Sequence, residues 1–137
     1  MNLATTLLLG GDYRAALPEY RSLAADLAAE HGADDELALH CRRQAATCLA
    51  ALGANTEAVR ELNDLLPDMA RMLGPRRQEV FDVRLQLGLT LAASGDRAAA
   101  RRVLRDLLAD QTLVLGGDAA QNRELREILD HLRDVGA

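Results

Sequence analysis

His40, Cys41 and Cys48 bring an imidazole and both thiols of the chain close together in sequence. Convergence of the three would give a zinc or thiolate site. On a helix, however, neighbouring residues point about 100° apart, so His40 and Cys41 face different ways. Cys48 lies seven residues beyond Cys41, about two turns or ~10 Å along the axis. That gap also exceeds the ~7 Å between Cα atoms that a disulfide tolerates. Both cysteines therefore read as small buried hydrophobes of a reducing compartment. His31 and His131 stand alone, in neither HExxH nor paired-ligand spacing. A phosphate loop, a GxSxG elbow and a dinucleotide fingerprint are all missing from the sequence, and Gly10-Gly11 and Gly116-Gly117 read as turns between helices. The expectation is a chain without catalytic residues, metal or cofactor, whose chemistry is recognition.

Composition narrows what is recognised. The chain's 137 residues suit one domain, and 49% of them are apolar, enough for a continuous core. Only 2% are aromatic and none is Trp, so that core must be alanine and leucine, the mix of closely packed helices. A net charge of −5 argues against nucleic acid as a partner. All 16 basic residues are arginine, which suits either forked recognition of carboxylates and phosphates or the codon bias of a GC-rich genome. No apolar run approaches the ~20 residues that span a membrane, and Met1 to Leu9 lacks the basic start of a signal peptide. The expected location is cytoplasmic.

The elements that position these residues recur with a fixed period. Gly11, Gly53 and Gly95 are each 42 residues apart. Alanine follows five residues later, at Ala16, Ala58 and Ala100, and a small residue precedes by seven, at Ala4, Ala46 and Gly88. Leu7, Leu49 and Leu91 keep the register, as do Leu23, Leu65 and Leu107, and a second glycine series runs Gly32, Gly74, Gly116. Small residues twelve apart let two antiparallel helices approach closely across a short turn. The glycine suits the left-handed position that ends the first helix, after which Asp12, Asn55 and Asp96 are placed to cap the second. Asp34, Pro75 and Asp118 are expected to open the helices that follow the second glycines. The middle repeat shows the resulting apolar stripe: Ala58, Leu62, Leu65, Leu66, Met69, Leu73.

This predicts an all-α chain of seven helices near 1–9, 12–31, 34–52, 55–73, 76–94, 97–115 and 118–134. They form a single domain over 1–137: an incomplete repeat to about 33, repeats at 34–75 and 76–117, and a C-terminal capping helix. Val83 to Leu91 alternates apolar and polar residues, which alone would read as a strand. The repeat register places that stretch opposite Cys41, Ala45, Cys48 and Leu52, which follow helical spacing, so helix is expected there. Pro18 and Pro67 fall inside predicted helices and should bend them locally.

The small residue, glycine and alanine at these spacings resemble the tetratricopeptide repeat, in the 42-residue variety of kinesin light chains. The resemblance rests on Ala45-Ala46 and Leu87-Gly88 in first helices, Ala16-Leu17-Pro18 early in a second helix, and Leu73-Gly74-Pro75 as linker, and it covers essentially the whole chain. It departs from that family where Asp34-Asp35 and Arg76-Arg77 replace a His-Pro pair, and where Asp130 takes the last small-residue position. More narrowly, Cys41 to Cys48 and Gly10-Gly11-Asp12-Tyr13 are similar to the C-terminal repeat region of actinobacterial serine/threonine protein kinases, although no kinase catalytic domain is present. The implied fold is a right-handed superhelix of antiparallel helix pairs. The implied role is protein–protein interaction, as a regulatory or docking part of kinase signalling.

In that family the first helix of each pair lines a concave face. The inward positions, counted from the small residue, are Arg43, Gln44, Thr47 and Ala51, then Leu85, Gln86, Leu89 and Ala93, with Asn2, Thr5 and Leu9 from the incomplete repeat. The resemblance thus implies a groove in which Leu85 and Leu89 make an apolar contact for a partner peptide or helix. Arg43, Gln44, Thr47 and Gln86 would supply its polar partners. Alternatively, both leucines pack against neighbouring first helices. Only Arg43 and Asn2 fit a carboxylate clamp, so a receptor for C-terminal tails is not expected. Helix 1–9 is about half as long as its counterparts, which would leave one side of helix 12–31 partly bare. An upstream domain or a second copy of the chain would cover it, and self-association through this N-terminal end is the alternative function.

Overall fold

The computed structural model describes Leu7 and residues 10–136, with side chains through Arg133. The described residues form six α-helices and no strand: α1 Tyr13–His31, α2 Glu36–Ala51, α3 Asn55–Leu73, α4 Gln78–Ala93, α5 Arg97–Leu115 and α6 Ala120–Gly136. Leu7 is helical, and the remainder of the predicted helix 1–9 lies outside the described residues. The chain falls into two compact units, residues 1–72 and 73–137.

Two kinds of turn join the helices, each recurring with the repeat. Where a first helix ends, the backbone closes back on itself: Ala54 N–H donates to Leu49 C=O at 2.9 Å and Gly53 N–H to Ala50 C=O at 3.1 Å. Asp96 to Leu91 and Gly95 to Ala92 repeat the pattern. This is the Schellman closure, which needs a left-handed residue at its apex. Gly53 (φ 82°) and Gly95 (φ 96°) supply it as the spacing predicts. Where a second helix ends, a tighter turn follows: Asp35 N–H donates to Gly32 C=O, Arg77 N–H to Gly74 C=O and Ala119 N–H to Gly116 C=O.

That second turn corrects the expected helix starts. It occupies three residues after the glycine, so the capping position falls on residue 35, 77 or 119 and not on Asp34, Pro75 or Asp118. Asp35 caps α2 by accepting from Ala38 N–H at 3.0 Å, whereas Asp34 pairs with Arg71 at 2.7 Å. Arg77 precedes α4 and makes no side-chain cap. Asp12 and Asp96 cap α1 and α5 as expected, each at 3.1 Å. Asn55 is already the first residue of α3, and Ala54 stands where the capping side chain would be.

The stretch 83–91 is helical, inside α4. α1 and α3 run unbroken through Pro18 and Pro67, both exposed. In the first unit, Ala16 and Tyr20 of α1 pack with Cys41, Ala45 and Cys48 of α2, and Leu7 lies against them. Leu17, Leu23 and Leu27 are half-buried around the same cluster. In the second unit, Phe81 of α4, Leu104 and Leu107 of α5 and Leu125 and Leu132 of α6 share one core. Leu62, Leu65, Leu104 and Leu107 are all 0% exposed, and burial of each such side chain stabilises by about 1.5–3 kcal/mol.

Contacts within each unit establish antiparallel pairing. Arg84 pairs with Asp110 and Gly88 meets Leu104, so α5 descends as α4 rises. Asp34 with Arg71 and Arg42 with Asp68 give the same sense for α2 and α3.

Candidate functional site

The arginine–carboxylate pairs fix how the first helices are turned. Arg42 donates to Asp68 at 2.8 Å and Arg84 to Asp110 at 2.7 Å, the same pairing displaced by one repeat. Each arginine is thereby drawn toward the second helix of its pair. The residues that follow it, Arg43 and Gln44 or Leu85 and Gln86, are turned away from that contact. Asp68 also accepts from Arg71 at 2.9 Å, and the hydrogen bonds from Arg42 and Arg71 hold its carboxyl below the usual range.

In the first unit, Arg43, Gln44 and Thr47 are half-buried on one side of α2, and the Thr47 hydroxyl donates to the Arg43 carbonyl at 3.1 Å. In the second unit, Leu85 and Gln86 of α4 are half-buried and Leu89 is 44% exposed. The two leucines part company. Leu85 packs against the core around Phe81 and Leu104, whereas Leu89 keeps its apolar surface open.

Both leucines border a furrow between α4 and α6. Its upper part, about 220 Å³, is lined by Gln78, Asp82 and Leu85 from α4 and Gln121, Glu124 and Ile128 from α6, with Leu107 and Gln111 of α5 also bordering it. Its lower part, about 490 Å³, lies among Leu89, Glu124, Glu127, Ile128, His131 and Leu132. Gln78 donates to Asp82 at 2.8 Å and to Gln121 at 3.2 Å, closing the upper end with amides. Arg84, by contrast, is held on Asp110 with its guanidinium 5.9 Å from the Phe81 ring centre.

Sequence reasoning missed the α6 wall because that helix is expected only to cap the repeats. The signal was present. Counting inward positions from Asp130 as from the earlier small residues gives Glu127, Ile128 and His131. Asp130 itself is exposed and pairs with Arg133 at 3.3 Å.

A second cleft, about 280 Å³, lies in the first unit among Arg21, Ala24, Arg42, Ala45, Glu61 and Asp64. Its two arginines are already engaged, Arg21 with Glu61 at 3.0 Å and Arg42 with Asp68. Cys41 and Cys48 are buried free thiols, and burial pushes both above the usual thiol range, with Asp35 adding to the shift at Cys41. Such thiols are poor nucleophiles. Among the described residues, no three His, Cys, Asp or Glu side chains are grouped to hold a metal, and no helix is long and apolar enough to cross a membrane.

The arrangement is similar to solved TPR-like repeats. The nearly identical TPR-like repeats of a Podosopora anserina putative kinesin light chain superpose with a TM-score of 0.80 at 19% identity, over 95% of this chain and 62% of that one. A point-substituted form of those repeats gives the same TM-score and identity over 61% of its length. This chain therefore spans less than two thirds of the solved chains it resembles. No protein-family model and no curated protein matches the sequence. The likeness is one of fold, that of a helical TPR-like repeat.

Proposed function

We propose that this chain is a protein-interaction module that holds a peptide or helix of a partner against its first helices. The partner would meet Arg43, Gln44 and Thr47 on α2 and Leu85, Gln86 and Leu89 on α4. The observation that carries this reading is Leu89, a large apolar side chain 44% exposed beside the apolar Ile128 and Leu132. Exposed apolar surface in a concavity is where an interaction gains most from excluding water. The likeness of Cys41–Cys48 and Gly10–Tyr13 to the repeat region of actinobacterial kinases supports a regulatory or docking part in serine/threonine kinase signalling, in the cytoplasm.

Leu89→Asp tests the site. Because Leu89 is exposed, the variant should keep the melting temperature of the parent while losing partners captured from the host lysate. Equal capture by both forms at equal stability overturns the reading. The competing function, self-association through the N-terminal end, involves residues outside the described ones. A dimer in light scattering at micromolar concentration would favour it, and a monomer that captures a partner would count against it.

A further inference from the structure

We infer that the furrow between α4 and α6 receives a basic amphipathic helix, whose apolar stripe lies on Leu89, Ile128 and Leu132 and whose Arg or Lys side chains reach Asp82, Glu124 and Glu127. This rests on the interaction reading above and names the chemistry of the partner.

The charge of the walls decides the partner's sign. Three carboxylates line the furrow and no arginine does, although α4 and α6 both carry arginines. Three of those arginines are tied elsewhere: Arg84 to Asp110, Arg133 to Asp130 and Arg126 to the Gly117 carbonyl. Among the described residues Glu124 and Glu127 form no ion pair, and both are exposed. Two unneutralised carboxylates above an apolar floor favour a ligand that is apolar on one side and cationic at its edges. An acidic ligand would meet like charge on entry.

Dimensions decide its form. The α4 positions bordering the furrow, from Gln78 to Leu89 in steps of four, three and four, extend ~16 Å along the helix. Three turns of a helix cover the same length, and such a helix presents its stripe at matching steps of three and four.

The test is selection of short random peptides displayed on phage against the full chain, followed by fluorescence anisotropy on the winners. The expected winners carry apolar residues at helical spacing flanked by Arg or Lys. Glu124→Gln with Glu127→Gln should weaken them about tenfold, as should a rise to physiological salt. Both glutamates are exposed, so the double variant should keep the parent's melting temperature. Winners that are neutral or acidic, or that bind the double variant equally well, overturn the inference while leaving the interaction reading intact if Leu89→Asp still abolishes them. Failure to select any peptide that depends on Leu89 overturns both. A chain that proves dimeric, with the dimer lost in Leu89→Asp, makes a second copy the occupant and also overturns the inference.

Discussion

Gly88 of α4 lies directly against the side chain of Leu104 on α5: a Cβ built on the glycine would stand 2.4 Å from Leu104 Cδ2 and 2.6 Å from Cγ. Both residues are buried, and the leucine is 0% exposed. Gly88→Ala must therefore push Leu104 out of a filled core. Overpacking of this kind costs about 1–3 kcal/mol. The melting temperature should fall by roughly 3–10 °C, measured by calorimetry. Adding Leu104→Val should recover part of the loss, because the smaller side chain withdraws the clashing atoms. A Gly88→Ala variant as stable as the parent would contradict the close approach.

Asp68 accepts from two arginines and its carboxyl is held below the usual range, chiefly by the hydrogen bond from Arg42 and then by that from Arg71. A depressed carboxyl stabilises the fold above its unfolded value of about 4 and loses that contribution as pH falls through its lower folded value. Asp68→Asn should cost about 0.5–1 kcal/mol at neutral pH in urea denaturation. The two curves should converge as the solution is acidified below about pH 4. A difference that persists unchanged into acid would mean that charge is not its origin.

Gln111 and Asn122 are 5% and 0% exposed, and they form a chain of amides: Gln111 donates to Asn122 at 3.0 Å, and Asn122 to the Gly116 carbonyl at 2.7 Å. The chain fastens the start of α6 to the end of α5. Asn122→Ala strands the buried Gln111 amide, and should cost about 1–3 kcal/mol. One repeat earlier the same register positions hold Met69 and Val80, both buried. The double change Gln111→Met with Asn122→Val should therefore be much less damaging than Asn122→Ala, since it removes both polar partners together. Chemical denaturation of the two variants checks the order.

Cys41 and Cys48 should resist alkylation in the native state and react fully once the chain is unfolded. Burial both shields the sulfurs and disfavours the thiolate. Iodoacetamide labelling followed by mass spectrometry distinguishes this from an accessible thiol, which would label at neutral pH without denaturant.

Much of this architecture is legible because a 42-residue period constrains every position several times over. Helices 55–73 and 97–115 match α3 and α5 to the residue. The alternating stretch 83–91 reads as helix only because Cys41, Ala45 and Cys48 stand in its register, and those three are indeed buried on one side of α2. What escapes is local. Whether Asp34 or Asp35 caps α2 depends on a three-residue turn that residue types alone do not reveal. Leu85 and Leu89 share a helical side, and only packing against Phe81 and Leu104 separates the half-buried leucine from the open one. The Gln111–Asn122 chain stands at positions where the register predicts apolar residues, so pattern counting passes over it.

The recurring turns at Gly32, Gly74 and Gly116 also set the currency in which such a chain can change its length. Because the backbone leaves each of these junctions by the same hydrogen bond, cutting out residues 33–74 would join Gly32 to Pro75 within a turn of unaltered type. A cut of some other size would bring a helix into the wrong phase. Growth and shrinkage of this molecule are therefore quantised, one whole pair of helices at a time.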